Sequence, residues 1–401
     1  MTVPVTDLPD PRDLWAEPAL LAALTAGRPS SSLPGYDVTA DGLRMRDIGN
    51  GWWGLLPVTG GRAVLYGLDL DNSEIEMCRE PVDLLAGGPA WLPWSWLQAL
   101  LAGAEPVGFV YWWDGAGWSR APYPAELRED GCQFLLADSE RALAEAAEQL
   151  TTDPAGGRQL LARLRDAARD RAADLALFTA VEQARTATRE PAIDPDTALA
   201  AAGRAGLAPG STWPEHPAGD GEPAGRTVPF SGPDQQAGLV ERVMRDAPEQ
   251  PRPATGGDAL RDLAAQLRTD GVDVLTVQWG PHYRTAFRTE SGQQVTGPLA
   301  DLVTALREAD AAPDSGRWLY LRIDATGPDA VVQRAYDHAP SWWQPPYPTV
   351  SLALLREETA ARTERWRPLW TALLDESLAV TGVPPHLCRV APASPSAARQ
   401  G

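Results

Sequence analysis

LRMRDIGNGWWGLLPVTGGRAVLYGL, residues 43–68, decides the fold of the first half of this chain. It holds three short extended runs, 43–48, 52–58 and 62–68, rich in apolar and aromatic residues, and Gly60-Gly61 marks the turn before the last. Runs of that length bounded by glycine read as strands joined by tight turns. Working outward, VGFVYWW (107–113) and CQFLLA (132–137) read as two more strands, with a turn at Asp114-Gly115. Helices are expected from Leu14 to Ala26 and from Ser95 to Ala102. Residues 1–150 therefore read as an α+β domain built on a mainly antiparallel sheet.

Beyond it, residues 151–189 read as one long amphipathic helix. Leu160, Leu164, Arg171, Leu175 and Phe178 recur at helical spacing, and Leu161, Ala168 and Val181 widen the stripe. Packing of that stripe within the chain is the first expectation; self-association of two copies through residues 157–188 is the alternative. Residues 190–256 are crowded with Pro, Gly, Ala and charge, and hold one of the 16 tryptophans, Trp213. Such composition predicts a disordered linker with short helices near 197–205 and 235–245.

Residues 257–388 read as a second α+β domain. A helix over 258–269 precedes strands 272–280 and 282–289, joined at Gly280-Pro281. A helix over 298–309 precedes strands 316–324 and 329–337, and one or two helices close the domain between Thr349 and Val380. The pattern predicts a four-stranded antiparallel sheet covered by helices, followed by a disordered tail at 389–401. The fold class expected is α+β: two domains, each a mainly antiparallel sheet with covering helices, joined by a long helix and a Pro/Gly-rich linker.

Charge narrows function. The chain has 401 residues, with 54 acidic against 35 basic, a net charge of -19. A direct nucleic-acid ligand needs a basic face, and an anionic membrane surface repels this one. A basic protein partner fits. Every basic residue is Arg, which removes Schiff-base, phosphate-loop and kinase-type lysine chemistry. Cys78, Cys132 and Cys388 have no paired spacing, and His216, His282, His338 and His386 are isolated, so neither a disulfide framework nor a metal site is expected. No cofactor is expected either. The N-terminus does not read as a secretory signal and no apolar run is long enough to cross a bilayer, so the expected location is cytoplasmic.

Asp69, Asp71, Glu74 and Glu76 form the tightest carboxylate group, in LDLDNSEIE. It resembles the start of a calcium loop but lacks the glycine and terminal glutamate that such a loop needs. A solvated acidic turn or an acidic contact patch fits better. No GxSxG elbow and no GxGxxG turn is present, which leaves no recognisable catalytic loop. Acid beside aromatic and proline recurs instead: LYGLDLDNSEIE before the Trp91 run PAWLPWSW, and RAYDHAPSWWQPPYP with Asp337, Trp342 and Trp343. These aromatics read either as loop-pinning core residues or as anchors of a protein interface, where tryptophan carries much of the binding energy.

Trp279 with Tyr283-Arg284, Gly316-Arg317-Trp318, Tyr336-Asp337 before Pro340 and Trp342-Trp343, and RWRPLW at 365–370 give residues 258–375 a pattern. It resembles the YezG-like immunity proteins of bacterial polymorphic-toxin systems. The resemblance implies a small acidic α+β domain that binds and neutralises a toxin, often a basic nuclease. Residues 1–150 resemble no nameable family. The expectation is thus a non-enzymatic, acidic binding protein of immunity type. Its partner-binding residues would be Asp69, Asp71, Glu74, Glu76, Trp91, Asp337, Trp342 and Trp343. A scaffold component of a multiprotein assembly and a carboxylate-dependent hydrolase are the alternatives.

Overall fold

The computed structural model describes residues 2–27, 35–47, 51–136, 154–184, 192–252, 257–280, 286–289, 297–343 and 350–388. The chain divides into two compact units. Unit 1 holds residues 1–78, 82–232 and 383–401, and unit 2 holds 79–81 and 233–382.

Unit 1 is built on seven antiparallel strands: β1 (Val3–Val5), β2 (Gly35–Thr39), β3 (Gly42–Asp47), β4 (Gly51–Val58), β5 (Arg62–Asp69), β6 (Phe109–Trp113) and β7 (Trp118–Arg120). Their order is β1-β7-β6-β5-β4-β3-β2. Gly60 and Gly61 close the β4–β5 hairpin, both at positive φ, where a side chain is strained. Every residue of β4 is buried, because both faces of the sheet are covered. Trp53, Leu55 and Leu65 join the core on one face, and Trp52, Leu56, Val64 and Tyr66 that on the other. Gly54 lies opposite Tyr66, and a Cβ there would meet the Tyr66 ring at 2.4 Å, so glycine leaves the room that the ring occupies.

The first face is covered by helix α1 (Pro11–Ala26), which starts where Asp10 accepts the Arg12 amide at 2.8 Å. Leu20, Leu21 and Leu24 of α1 are fully buried, each contributing about 1.5–3 kcal/mol of transfer free energy. The second face is covered by residues 75–78 and 82–107, including α2 (Trp94–Leu101).

Two expectations are corrected here. CQFLLA is no strand: residues 132–136 are helical, with Cys132 and Leu135, three apart, buried in the same core. The long helix is two helices, α3 (Pro154–Arg169) and α4 (Leu175–Ala184). Asp174 starts the second by accepting the Leu177 amide at 2.9 Å. Leu160, Leu164, Ala168, Phe178 and Val181 are buried in the α1 core, so these residues of the stripe pack within the chain, while Leu175 is 42% exposed.

Disorder of 190–256 is corrected as well for residues 192–252, which are laid onto ordered structure. Helix α5 (Pro195–Arg204) packs on α1, with Ile193, Ala198, Ala202 and Leu207 in the core. Trp213 meets Trp15 edge-on at 5.5 Å, His216 bridges to Val58, and Arg226 grips Asp83 with two bonds of 2.7 and 2.6 Å. Specific backbone and ion-pair partners do here what apolar content cannot. Residues 185–191 and 253–256 lie outside the described residues, as does the tail 389–401.

Unit 2 opens with α6 (Gln235–Asp246) and carries a four-stranded antiparallel sheet, β8 (Val274–Gln278), β9 (Ala286–Thr289), β10 (Tyr320–Asp324) and β11 (Val331–Ala335), in the order β11-β10-β8-β9. Helices α7 (Gly257–Thr269) and α8 (Pro298–Ala309) set Leu263, Leu267, Leu299, Val303 and Leu306 against Leu275, Val277, Leu321 and Ile323 of the sheet. The helix–hairpin–helix–hairpin order is the expected one; the turn at 280–281 and Tyr283-Arg284 fall outside the described residues. Helices α9 (Leu352–Ala360) and α10 (Leu378–Thr381) flank a 3-10 turn, Leu369–Leu374. The compact unit ends at 382, since Val383 pairs with Val228 in unit 1.

Candidate functional site

The acidic loop after β5 is built from within. Asp69 is 3% exposed, and its carboxylate accepts the amides of Asp71 and Asn72 at 2.9 Å each and the Asn72 side chain at 3.0 Å. Ile75 is fully buried beneath the following 3-10 turn, Ile75–Met77. Glu74 accepts the amides of Arg128 at 2.8 Å and Glu129 at 3.2 Å, and these bonds hold its carboxyl below the usual range. Two of the four carboxylates therefore shape the loop, and the other two, Asp71 and Glu76, face solvent. Beside them Leu70 is 57% and Met77 74% exposed. The loop presents two apolar side chains and two exposed carboxylates on a fixed backbone.

The remaining sequence-predicted positions divide sharply. Trp91 is half-buried under the Arg62 guanidinium, 5.2 Å from its ring, and its carbonyl accepts the Gly219 amide at 2.8 Å. Trp342 is half-buried. Trp343 is buried 6.2 Å from the Tyr320 ring, and Asp337 is 1% exposed. Asp337 and Trp343, expected at a partner interface, are buried in the chain instead.

Asp337 is instead the node of a buried charge cluster. Arg252 bonds both its oxygens, at 2.7 and 2.8 Å, and Arg362 bonds one at 2.8 Å. Trp370 donates its indole N–H to the Asp337 carbonyl at 2.7 Å. Glu249 takes the amides of Tyr336 and Asp337 at 3.1 Å and contacts the His338 ring at 2.6 Å. Next to this, Arg307 lies 4.1 Å from the Trp279 ring centre and 2.8 Å from Glu358. Burial pulls the Arg307 guanidinium down to about 10, with Glu358 opposing. Trp279, Trp318, Tyr336, Asp337 and Trp370, all in the motif pattern of 258–375, are thus core-building residues.

Three other features in unit 1 test for chemistry. Tyr111 and Tyr123 both donate to one oxygen of Asp130, the second at 2.9 Å, and burial together with that carboxylate raises both phenols. The same burial pushes the Cys132 thiol well up, which removes it as a thiolate nucleophile. A groove of about 560 Å³ runs between β2, β3 and α2, lined by Asp37, Arg44, Arg46, Tyr66 and Trp96. Both of its arginines pair with Glu105, and the exposed carboxylates Asp37 and Asp41 also line it, so the groove offers no free cation to an anionic ligand. Among the described residues no group of three His, Cys, Asp or Glu is arranged to hold a metal, and no helix is long and apolar enough to cross a membrane.

Comparison with protein-family models, curated proteins and solved structures returns no match.

Proposed function

We propose that the chain is a non-catalytic protein-binding module of immunity type that occupies a basic protein partner in the cytoplasm. The observation that carries this reading is the loop 69–77. Its backbone is fixed by Asp69 and Glu74, so binding loses little ordering entropy. Met77 and Leu70 supply apolar contact, with Asp71 and Glu76 around them to pair with cations. A net charge of -19 steers a basic partner towards it and repels acidic competitors. Three free, buried cysteines accord with a reducing compartment. The helix-covered four-stranded sheet of unit 2 accords with the domain that the resemblance to YezG-like immunity proteins implies.

The test is co-purification with the products of neighbouring genes, combined with co-expression to measure protection from each. One of them is expected to bind, in a salt-sensitive manner, and to be neutralised. In that complex D71R/E76R should slow association by roughly tenfold or more. Absence of any bound or neutralised neighbour overturns the reading.

A further inference from the structure

A second feature, independent of the loop 69–77, is a pocket of about 220 Å³ in unit 1 between the start of α1 and the end of α3. It is lined by Trp15 and Trp213 together with three arginines, Arg12, Arg169 and Arg171, and one carboxylate residue, Asp13. Arg169 is held by Asp13 at 3.6 Å and Glu17 at 3.4 Å. Arg12 and Arg171 have no ion-pair partner among the described residues. The indole N–H of Trp213 is buried without an acceptor, while that of Trp15 is satisfied by the Ala205 carbonyl at 2.9 Å. The first-turn amides of α1 are already capped by Asp10, so any charge the pocket binds falls to the side chains.

Arg171 stands in an unusual backbone position. Helix α3 ends with the Ala172 amide on the Ala167 carbonyl at 2.7 Å and the Arg171 amide on the Ala168 carbonyl at 3.2 Å. That is the pair of bonds of a Schellman ending, in which the residue at the position of Arg171 takes a left-handed conformation and is usually glycine. Arg171 adopts it at φ 53, the one non-glycine residue with positive φ among those described. A strained arginine stands where glycine would sit without strain, and it lines the pocket. Strain retained at one position is a pointer to function.

We propose that this pocket binds a small anion, a phosphate or carboxylate carried on a compact flat body. Arg12 and Arg171 take the anion, and the flat body lies against the Trp213 indole, with Trp15 packed edge-on to that ring. The volume lies below the roughly 300 Å³ at which pockets for drug-sized ligands begin, which limits the ligand to a single ring or smaller.

Calorimetric titration of the full chain with phenyl phosphate and with benzoate, at constant ionic strength, tests this. Saturable binding of either is expected, and the tighter of the two identifies the phosphate or the carboxylate class. R171G separates binding from folding, because glycine suits the left-handed position. Its thermal midpoint should equal or exceed that of the parent while affinity falls at least tenfold, and R12Q should weaken binding in the same direction. Absence of saturable binding to both probes, or unchanged affinity in R171G and R12Q, overturns the proposal.

Discussion

The loop 69–77 and the segment 336–343 carry the same sequence pattern, acid at a strand end shortly before tryptophan, and meet opposite fates. In the first, Asp71 and Glu76 face solvent beside exposed Leu70 and Met77. In the second, Asp337 is enclosed and Trp343 is buried. The difference lies in arginines far away in sequence. Arg252 and Arg362, 85 and 25 residues from Asp337, converge on its two oxygens. Two guanidiniums compensate the enclosed Asp337, and backbone amides with the Asn72 side chain compensate the buried Asp69. Asp71 and Glu76, which have neither kind of partner among the described residues, stay in solvent. The pattern of acid and aromatic residues says nothing of which will happen.

The sharpest way to break this comparison is Asp337→Ala. It leaves two buried guanidiniums facing each other without their shared counter-ion, and burial already pulls the Arg362 guanidinium down from its ordinary value. Loss of one partner from such a cluster costs about 3–5 kcal/mol. Urea denaturation should show this as a lowered midpoint for the unfolding of unit 2. A cost under about 1 kcal/mol would mean that Asp337 does not organise its surroundings.

Much of the fold was legible because the strands of both units are short apolar runs with glycine between them. The helix over 298–309 and the two hairpins of unit 2 follow from spacing alone. CQFLLA was not, since a short apolar run suits a strand or a buried helical turn equally well until its neighbours are known. The break in 151–189 had a local signal in Asp174, a good helix-capping residue, but the stripe of Leu160, Leu164, Phe178 and Val181 continues in phase across it. Residues 192–252 were illegible for a different reason. Their anchors are a few long-range contacts, Trp213 on Trp15 and Arg226 on Asp83, and composition averages these away. For the candidate site, sequence located the loop 69–77 but could not divide its carboxylates into those that build it and those that face outward.

That division is testable at intermediate size. Asp69→Ala removes three hydrogen bonds, two of them from backbone amides to a charged acceptor. The expected cost is about 1–3 kcal/mol, read by denaturant unfolding, together with faster amide exchange at residues 71 and 72. Unchanged exchange at those amides would remove the argument that the loop is fixed before it binds.

The smallest expected effect is the most telling for the comparison. Asp71→Ala and Glu76→Ala remove carboxylates that face solvent, and each should change unfolding free energy by no more than about 0.5 kcal/mol. Their charges contribute to the field around the loop, so association with a basic partner should slow in both variants, and more so at low salt where screening is weak. Asp69→Ala and Asp71→Ala, two residues apart in one acidic run, should therefore separate cleanly, the first in folding and the second in encounter. A stability loss at Asp71 equal to that at Asp69 would place both carboxylates in the framework and leave Leu70, Glu76 and Met77 as the whole of the presented surface.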